Sequence, residues 1–531
     1  MTPWRMVGVI VLVACAGGGA GEGRPPSLTT ARRDELVVIG AHNEIAQVSA
    51  GERLVFAASP RGVIIYDALF RGWLPPLELE LDGAFRRPAV VLAADPTEDA
   101  VWVATRGRVV YYRPRIDYAV TASLGGIPEE MFFDRRDLGA GAYVRMGGSI
   151  VRVARTGGTS IAPGAVPPSE DRLRSPTSRD VFREYPSLET FLPLLTRGED
   201  LEQWQASAAT LAPGRREVWL GTYGNGLYRV DPTFNRAEHL PFGLLEPGVG
   251  ALALAADGVW SGGLGSPGRR GGLVFASDDL QRWRWLDGPP SRPFVGARVN
   301  ALAIHDQQAW AATTRGLLRL SLSASDDFDR WDLVDGLPSD VVTSVVARSD
   351  GAWAGTTAGL ARIERSARPM GPRVPIHDLA QWADTLWIAS DAGVLALAAS
   401  DSVPRRLTVD DARLSRAVRA LARTDTVLVV ATETDLIEID VRGRHVLPPR
   451  AANVAALRRV ERVAMDAQAI WLAGQGGALA IHRASGRSSL MPVGVTLPAA
   501  ATSIALARDV AWIGTRDGLV RIRRRSDGMP P

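Results

Sequence analysis

The sequence contains no lysine and only one cysteine, and both shortages restrict its chemistry. All 61 basic residues among the 531 are arginine, so a phosphate-loop lysine, a Schiff-base lysine and a lysine general base are excluded. The single cysteine, Cys15, leaves no intramolecular disulfide to form. The arginines are interleaved with 58 carboxylates at a formal net charge of +3, whereas nucleic-acid binding needs basic residues gathered on one face. We therefore expect no nucleic-acid partner.

The amino terminus contains the only targeting sequence that we identify. The apolar run Met6–Val13 is too short to span a bilayer and has the length of a signal-peptide core. It leads into Ala14-Cys15, which looks like a bacterial lipobox with Cys15 as the acylated residue. The alternative is a plain secretory signal with an incidental cysteine. Both interpretations predict export, with residues 1–14 as signal peptide and 15–34 as tether.

The lipobox interpretation also predicts a location. The residue after Cys15 is not aspartate, which by resemblance to known lipoproteins favours the outer membrane, facing the periplasm or the cell surface. We therefore expect a lipid-anchored protein of the bacterial cell envelope.

One phrase recurs through the rest of the chain. Residues 218–222 read Val-Trp-Leu-Gly-Thr and precede Gly226-Leu227, and residues 511–515 read Ala-Trp-Ile-Gly-Thr and precede Gly518-Leu519. About eleven such units follow one another, mostly 41 to 50 residues apart, which is the length of one propeller blade. Their anchors are Phe56, Trp102, Tyr143, Trp219, Trp260, Trp310, Trp353, Trp387, Val429, Trp471 and Trp512.

The residues of each unit alternate between apolar and polar, as in Leu317–Leu320, so the units consist of strands. This predicts an all-β protein, a β-propeller of about 11–12 four-stranded blades. Because propellers hold four to eight blades, we expect two tandem propellers. The tryptophans should fill the space between neighbouring blades.

The predicted domain boundaries follow breaks in the repeat. A Pro-rich segment at 289–298 places the boundary between a first propeller, 35–295, and a second, 296–531. The interval 155–210 is too long for one blade and is either an insertion, with two stretches patterned like short helices, or a degenerate twelfth blade. Glu35–Ile39 is a strand without a blade, and we predict that it closes the ring that contains the last blade.

The repeats resemble the two-component regulator propeller family of bacterial ligand-binding sensors. The resemblance rests on the Trp-Ile-Gly-Thr and Gly-Leu phrases and on residues 335–341, Asp-Gly-Leu-Pro-Ser-Asp-Val, which look like the family's blade linker. It covers about residues 35–525 and is weaker before Arg216. Family members usually continue into a membrane helix and a kinase, and we expect a stand-alone lipoprotein without either.

Residues in the turns between second and third strands are candidates for ligand binding, because in propellers such loops line one mouth of the ring. The aligned repeats predict a ligand-binding ring of turn residues, whose members are Arg61, Arg106, Tyr223, Asn225, Arg315 and Arg516. Arginines there could bind carboxylate, sulfate or uronate groups through bidentate hydrogen bonds. Solvated turn residues of an arginine-only chain would give the same pattern.

No motif predicts catalysis, a metal or a cofactor. The six histidines lack metal-ligand spacing. Residues 263–268 match the dinucleotide fingerprint by letter but precede a strand where the fingerprint needs a helix. We expect a binding protein and no enzyme, with an unknown ligand, anionic or carbohydrate, or a membrane protein partner. The alternatives are an outer-membrane scaffold or assembly lipoprotein and, less favoured, a propeller lyase or hydrolase.

Overall fold

The computed structural model describes residues 35–79, 90–160, 166–196, 203–266, 271–286, 294, 296–323, 328–409, 411–450 and 452–531. This described part is nearly all β-structure, with ten sheets of four strands and one of five. The predicted signal peptide, the tether and Cys15 lie outside it. None of the helices within the described ranges has the length and hydropathy needed to cross a membrane.

We number the sheets as blades 1 to 11 in chain order and count the strands of each blade from the inside outward. Blade 1 has Gln47–Ala50, Leu54–Ser59, Gly62–Asp67 and Gly72–Glu78, and blade 2 has Val91–Ala94, Val101–Thr105, Arg108–Arg113 and Tyr118–Ser123. Blade 3 has Glu130–Asp134, Ala142–Met146, Ser149–Val153 and Thr159–Ser160, with Arg172–Leu173 paired on the inner side of its first strand. Blade 4 has Ala206–Leu211, Val218–Thr222, Leu227–Asp231 and Arg236–Leu240.

The remaining blades repeat the same pattern. Blade 5 has Val249–Ala255, Gly258–Gly263, Leu273–Ser277 and Trp283–Leu286; blade 6 has Val299–His305, Gln308–Thr313, Gly316–Ser321 and Phe328–Trp331. Blade 7 has Val342–Arg348, Gly351–Thr356, Gly359–Ile363 and Ala367–Met370; blade 8 has Ile376–Trp382, Thr385–Ser390, Gly393–Ala398 and Arg405–Arg406. Blade 9 has Ala420–Arg423, Val427–Ala431, Leu436–Asp440 and His445–Val446; blade 10 has Val460–Met465, Ala469–Gly474, Gly477–His482 and Ser488–Pro492. Blade 11 has Ala501–Leu506, Val510–Thr515 and Gly518–Arg523, and its fourth strand is Leu36–Ile39.

Seven of the blades form one closed ring. The first strands of blades 5 to 11 contact one another in succession, and the first strand of blade 11 contacts that of blade 5. The Thr502 hydroxyl of blade 11 donates a hydrogen bond to the Val249 carbonyl oxygen of blade 5. We call blades 5 to 11 the seven-bladed ring. The prediction of an all-β propeller built from four-stranded blades is confirmed.

Blades 1 to 4 form a second group, which we call the four-bladed unit. Blade 1 contacts blade 4 on one side and blade 2 on the other, and blade 2 contacts blade 3. Blades 3 and 4 are bridged by the segment that holds Arg172–Leu173 and two helices, α1 (Ser178–Glu184) and α2 (Pro186–Leu195). The buried side chains Val181 and Leu188 pack on the sheet of blade 4, the face that a further blade would cover.

The two short helices agree with the helical patterning seen in the sequence. They occupy a blade's position without being a blade, so the interval is an insertion rather than a degenerate repeat. The predicted range 155–210 is too wide at both ends, because Thr159–Ser160 completes blade 3 and Ala206–Leu211 begins blade 4.

The observed boundary between the two groups of blades differs from the predicted one. Blade 5 lies between blades 11 and 6, so the change of ring falls at residues 241–248 and not at 295/296. Blades 5 and 6 are neighbours in the seven-bladed ring, so the predicted boundary falls inside that ring. The observed boundary is a short linker that contains two prolines and two glycines, and its Phe242, Leu244 and Leu245 side chains are buried.

One apolar cluster joins blades 1, 4, 5 and 11 and makes the two groups continuous. The Phe242 ring lies 4.7 Å from the ring of Trp73 in blade 1 and 5.0 Å from the ring of Trp283 in blade 5. The Gln281 side chain donates to the Trp73 carbonyl oxygen at 2.8 Å and accepts from the Trp73 N–H at 3.0 Å. Two groups of blades that share such a core cannot rotate independently.

The recurring tryptophans are buried between blades, as predicted. Five of them are at most 2% exposed, namely Trp102, Trp219, Trp310, Trp471 and Trp512. Trp310 of blade 6, for example, packs with Val342 and Val345 on the first strand of blade 7. Burying a side chain of this size stabilises each blade-to-blade contact by roughly 2–3 kcal/mol.

The Gly-Thr phrase forms the turn between second and third strands. The hydroxyls of Thr313, Thr356 and Thr515 each donate to a glycine carbonyl oxygen three residues later, at 2.8 Å. Gly316 follows the turn at φ +107°, and a Cβ there would lie 2.4 Å from the Trp331 carbonyl oxygen. The motif is therefore a hydroxyl-capped turn that requires glycine at its exit.

The lone strand near the amino terminus closes the seven-bladed ring, as predicted. Leu36–Ile39 pairs antiparallel with the third strand of blade 11, with Leu36 opposite Ile522 and Ile39 opposite Leu519. Ile39 is fully buried. The pairing covers an edge that would otherwise be open for association.

Candidate functional site

The six predicted turn residues are divided between the two groups of blades. Arg61, Arg106, Tyr223 and Asn225 belong to blades 1, 2 and 4, whereas Arg315 and Arg516 belong to blades 6 and 11. They occupy the predicted turns between second and third strands. Because the turns come from two different groups of blades, the structure does not bring the six residues together around one mouth.

Arg61 and Asn225 have side chains that are engaged within the fold. The Arg61 guanidinium pairs with the Asp517 carboxylate of blade 11 at 2.8 Å, which ties the four-bladed unit to the seven-bladed ring. Asn225 is only 2% exposed, its side chain donates to the Tyr228 hydroxyl, and its carbonyl oxygen lies 2.9 Å from Nε2 of His239. Both side chains hold the structure together at these positions.

The other four turn residues are exposed, and only one of them lines a cavity that we describe. Arg106, Tyr223 and Arg315 lie on the surface of blades 2, 4 and 6. Arg516 is exposed on blade 11 and lines a cavity of about 180 Å³ at the mouth of the seven-bladed ring. A second cavity of about 110 Å³ adjoins it and shares Arg459 and Glu461 with the first.

Five arginines line these two cavities, against a single carboxylate, Glu461. We call this cluster the arginine mouth, and its members are Arg298, Arg419, Arg459, Arg462 and Arg516. They reach the mouth from blade linkers, from the beginnings of first strands and from the turn of blade 11. An excess of guanidinium groups in a concave site attracts anions.

Two of these arginines have donors without acceptors. The Nε atoms of Arg419 and Arg459 are buried and have no hydrogen-bond partner among the described residues. The Arg419 guanidinium lies 3.3 Å from Nε2 of His377, whose imidazole lies 2.7 Å from the Asp391 carboxylate. The Arg459 Nε atom lies 3.5 Å from the Glu461 carboxylate and 3.9 Å from that of Glu433, at ion-pair distance but without a hydrogen bond. A buried donor without an acceptor is costly, and an anion entering the mouth would remove that cost.

Arg462 has a different role, because it crosses the channel of the ring. Its guanidinium donates to the carbonyl oxygens of Glu461 at 3.0 Å, Asn300 at 2.9 Å and Thr343 at 3.3 Å. Blade 10 is thereby linked to blades 6 and 7. The side chain forms the floor of the mouth.

Burial and neighbouring charges perturb two titratable groups at this floor. Burial raises the pKa of Asp378, although Arg462 and the backbone N–H groups of Leu421 and Leu379 act in the opposite direction. Partial removal from water lowers the pKa of Arg298, and the nearby Arg462 and Arg516 lower it further. The mouth is therefore a place where positive charges repel one another.

A much larger cavity lies in the four-bladed unit. It has a volume of about 1050 Å³ and opens where the first strands of blades 1, 2 and 4 end. We call it the funnel. It is at the opposite end of these blades from the predicted turns, because antiparallel strands place the first-to-second loops and the second-to-third turns at opposite ends of a blade.

Part of the site could not be found by aligning turns. Arg298 and Arg459 each stand directly before a first strand, at Val299 and Val460. A repeat alignment that compared the residue before the first strand would have placed both at the same mouth. Among the described residues, no three His, Cys, Asp or Glu side chains form a group that could hold a metal ion.

The eleven four-stranded blades define a β-propeller protein, in which a seven-bladed ring and a four-bladed unit share an apolar core. No protein-family model and no curated protein matches the chain. Among solved structures it is similar to PorZ, a surface component of the type-IX secretion system of Porphyromonas gingivalis, at 12% identity over 91% of this chain and 69% of that chain, with a TM-score of 0.44.

Two further solved structures are similar at the same low level. One is the extracellular domain of a putative one-component system from B. thetaiotaomicron, at 13% identity over 94% of this chain and 73% of that chain, with a TM-score of 0.30. The other is virginiamycin B lyase from Staphylococcus aureus, at 12% identity over 52% of this chain and 96% of that chain, with a TM-score of 0.43. These likenesses concern the fold alone.

Proposed function

We propose that this chain is an exported, lipid-anchored binding protein that captures an anionic ligand at the arginine mouth of its seven-bladed ring. The observation that carries the proposal is the gathering of five arginines around one carboxylate. Guanidinium groups bind carboxylate and sulfate groups bidentately, so the ligand class is a carboxylate, sulfate or uronate. The resemblance of the repeats to ligand-binding sensor propellers supports a receptor-like role.

Binding is proposed rather than catalysis because of the composition of the mouth. Arginines that meet an anion stabilise it in place, whereas acyl or glycosyl transfer needs a positioned base, acid or nucleophile. The residues described at the mouth supply Glu461 and His377 only, and they lie beside Arg459 and Arg419. We assign them to positioning those arginines.

Isothermal titration calorimetry with sodium sulfate, trigalacturonate and neutral galactotriose tests the ligand class. We expect the trianionic sugar to bind, the neutral sugar to be silent, and Arg298→Ala and Arg516→Ala each to raise Kd about tenfold. The matched control is Arg106→Ala, an exposed turn arginine of the four-bladed unit. Absence of binding by both anions, or variants indistinguishable from Arg106→Ala, would overturn the proposal.

Lipidation at Cys15 is proposed from the lipobox-like sequence and has its own test. The protein should partition into the detergent phase of Triton X-114, and Cys15→Ser should shift it to the aqueous phase because two acyl chains are lost. Mass spectrometry of the mature amino terminus identifies the acylated residue. A detergent-phase Cys15→Ser protein contradicts the assignment.

A further inference from the structure

A β-bulge lies at the start of the first strand in blades 5, 6, 7, 8, 10 and 11 of the seven-bladed ring. In blade 10, for example, Glu461 is an extra residue between Val460 and Arg462, which pair with consecutive residues of the second strand. Arg419 holds the equivalent position in blade 9, directly before its first strand. We call these the bulge residues, and they are Gly250, Asn300, Thr343, His377, Arg419, Glu461 and Thr502. All except Gly250 line the two cavities at the arginine mouth, and bulges commonly aim side chains at binding sites.

Three of the bulge residues fasten one blade to the next. The Asn300 side-chain amide donates to the Val342 carbonyl oxygen at 2.7 Å, and the Thr343 hydroxyl donates to the Ile376 carbonyl oxygen at 2.6 Å. Thr502 makes the same hydrogen bond from blade 11 to blade 5. In each case the acceptor is the first residue of the first strand of the neighbouring blade. These side chains therefore serve the closure of the ring.

The bulge residue of blade 10 is suited to a different task. An ionised carboxylate has no proton to donate, so Glu461 cannot form the same hydrogen bond to the next blade. Its side chain is 30% exposed and lines both cavities. The nearest cationic atom, Nε of Arg459, lies 3.5 Å from the carboxylate without forming a hydrogen bond. The Glu461 carboxylate is therefore an available acceptor inside the mouth.

This carboxylate lies among donors that lack acceptors. The Nε atoms of Arg419 and Arg459 are buried without a hydrogen-bond partner in the described part of the chain, and both side chains line the cavity of about 110 Å³ together with Glu461. A carboxylate in an arginine cluster lowers the affinity for any anion, because like charges repel. An anion that also donates a hydrogen bond to this carboxylate recovers the loss. The arrangement therefore discriminates between anions with and without such a donor.

Building on the proposed function, we infer that the arginine mouth selects a hydroxylated carboxylate. Arg419 and Arg459 bind the carboxylate of the ligand, and Glu461 accepts a hydrogen bond from a hydroxyl group close to it. The adjoining cavity of about 180 Å³ leaves room for the remainder of the ligand. Sulfate and unhydroxylated carboxylates offer no proton to Glu461, so they pay its repulsion without compensation. Glu461 is thus the residue that determines specificity.

Isothermal titration calorimetry with two matched acids tests this inference. The probes are D-galacturonate and tetrahydropyran-2-carboxylate, which share a six-membered ring and a carboxylate but differ in their hydroxyl groups. We expect galacturonate to bind the full chain about tenfold more tightly, because a site that hydrogen-bonds a hydroxyl rejects the analogue without it. Glu461→Met should reduce this preference to about twofold or less, by weakening galacturonate and strengthening the other acid. Glu461→Gln, a milder change, should reduce it in the same direction.

Glu433→Met is the matched control. Glu433 is the other carboxylate beside Arg459, at 3.9 Å from its Nε atom, but it lies outside both cavities. Its replacement should leave the preference for galacturonate at about tenfold. Arg419→Met should instead weaken both acids by about tenfold, because each loses a guanidinium partner. Circular dichroism and the thermal midpoint verify that the variants are folded.

The outcomes separate this inference from the proposed function. Equal Kd values for the two acids in the parent chain, with trigalacturonate still bound, would overturn the hydroxyl selection and leave anion binding intact. A preference that survives in both Glu461 variants, or that falls equally in Glu433→Met, would also overturn the role of Glu461. If neither acid nor trigalacturonate binds, the proposed function fails, and the inference fails with it.

Discussion

Because the sequence has no lysine, arginine fills several different roles in this protein. At the arginine mouth, Arg298 and Arg516 are exposed and available to a ligand. Arg61 forms an ion pair between blades 1 and 11. Arg462 donates to three carbonyl oxygens across the channel. The planar guanidinium suits this last role because its donors diverge in fixed directions, which an ammonium group does not offer.

Replacement of Arg462 by methionine keeps most of the side-chain volume and removes the donors. We expect Arg462→Met to lower the free energy of unfolding by about 1–3 kcal/mol, because three carbonyl oxygens lose a charged donor and Asp378 loses its counter-charge. Urea denaturation followed by tryptophan fluorescence measures the change. Arg442→Met, at an exposed turn, is the control and should differ from the parent chain by less than about 0.5 kcal/mol. Equal midpoints for the two variants would contradict the role of Arg462.

At the scale of elements, the hydroxyl-capped turn sets the geometry of each blade. The hydroxyl fixes the turn, and the glycine that follows allows the third strand to run close beside the fourth. The same device recurs at Thr313, Thr356 and Thr515. The blades are therefore alike at the turn even where their first strands differ.

Gly316→Ala tests the requirement for glycine. The added Cβ would lie 2.4 Å from the Trp331 carbonyl oxygen at φ +107°, so we expect a loss of about 3 kcal/mol in the free energy of unfolding. Gly486→Ala is the matched control, since its φ of +71° is also positive but its Cβ would meet nothing within 4 Å. It should cost about 1 kcal/mol. Equal denaturant midpoints would show that the close approach is not the cause.

The closing strand is the second element with a testable consequence. A chain that begins at residue 41 lacks Leu36–Ile39 and exposes the third strand of blade 11. We expect a loss of at least about 3 kcal/mol from unburied Val37 and Ile39, together with association through the open edge. Thermal denaturation and light scattering, with a chain that begins at residue 35 as control, measure both. A monomer of unchanged stability would contradict the prediction.

At the scale of the whole molecule, the core shared by blades 1, 4, 5 and 11 makes the two groups one cooperative body. His42 lies inside this core at 2% exposure, with its ring 5.5 Å from that of Phe242 and its Nδ1 2.6 Å from the Ser59 hydroxyl. Burial lowers the pKa of His42 from 6.5 to about 3, and Arg61 adds to this effect. Between about pH 3 and pH 6.5 the imidazole is therefore neutral in the folded protein and charged in the unfolded chain.

Acid should loosen this core for that reason. Because the folded pKa lies below the unfolded one, stability is complete above pH 6.5 and is lost as the pH falls toward 3. Between pH 7 and pH 5 we expect His42 to remove about 2 kcal/mol from the free energy of unfolding. Urea midpoints at both pH values measure it, and His42→Gln should be less pH-dependent by that amount. An equal slope for the variant would contradict the assignment.

The sequence was sufficient to predict local features but not the closure of the rings. The spacing of tryptophans such as Trp310 and Trp353 predicted blades and their packing, and the unpaired Leu36–Ile39 predicted the closing strand. Nothing local distinguishes blade 5 from its neighbours, however, because ring membership depends on which first strands meet. The boundary was therefore placed one blade too late, at the Pro-rich segment 289–298.

The sequence predicted that exposed arginines would form the candidate site, but not which arginines belong to it. Aligned turns identified exposed arginines, and Arg516 does line the arginine mouth. Alignment could not show that Asn225 is buried, since that depends on the packing of Tyr228 and His239 around it. It also gave no sign of Arg462, whose partners Asn300 and Thr343 are more than a hundred residues away in sequence.

The closing strand also determines the order in which the chain can become native. Leu36 pairs with Ile522, so the four-bladed unit is inserted, in sequence, between the outermost strand of the seven-bladed ring and the remainder of that ring. A polypeptide made or translocated from its amino end must keep this first strand unpaired until its last segment emerges. Contacts so distant along the chain slow folding. A ribosome- or translocon-held intermediate should accordingly be susceptible to proteases near residue 36 until synthesis ends.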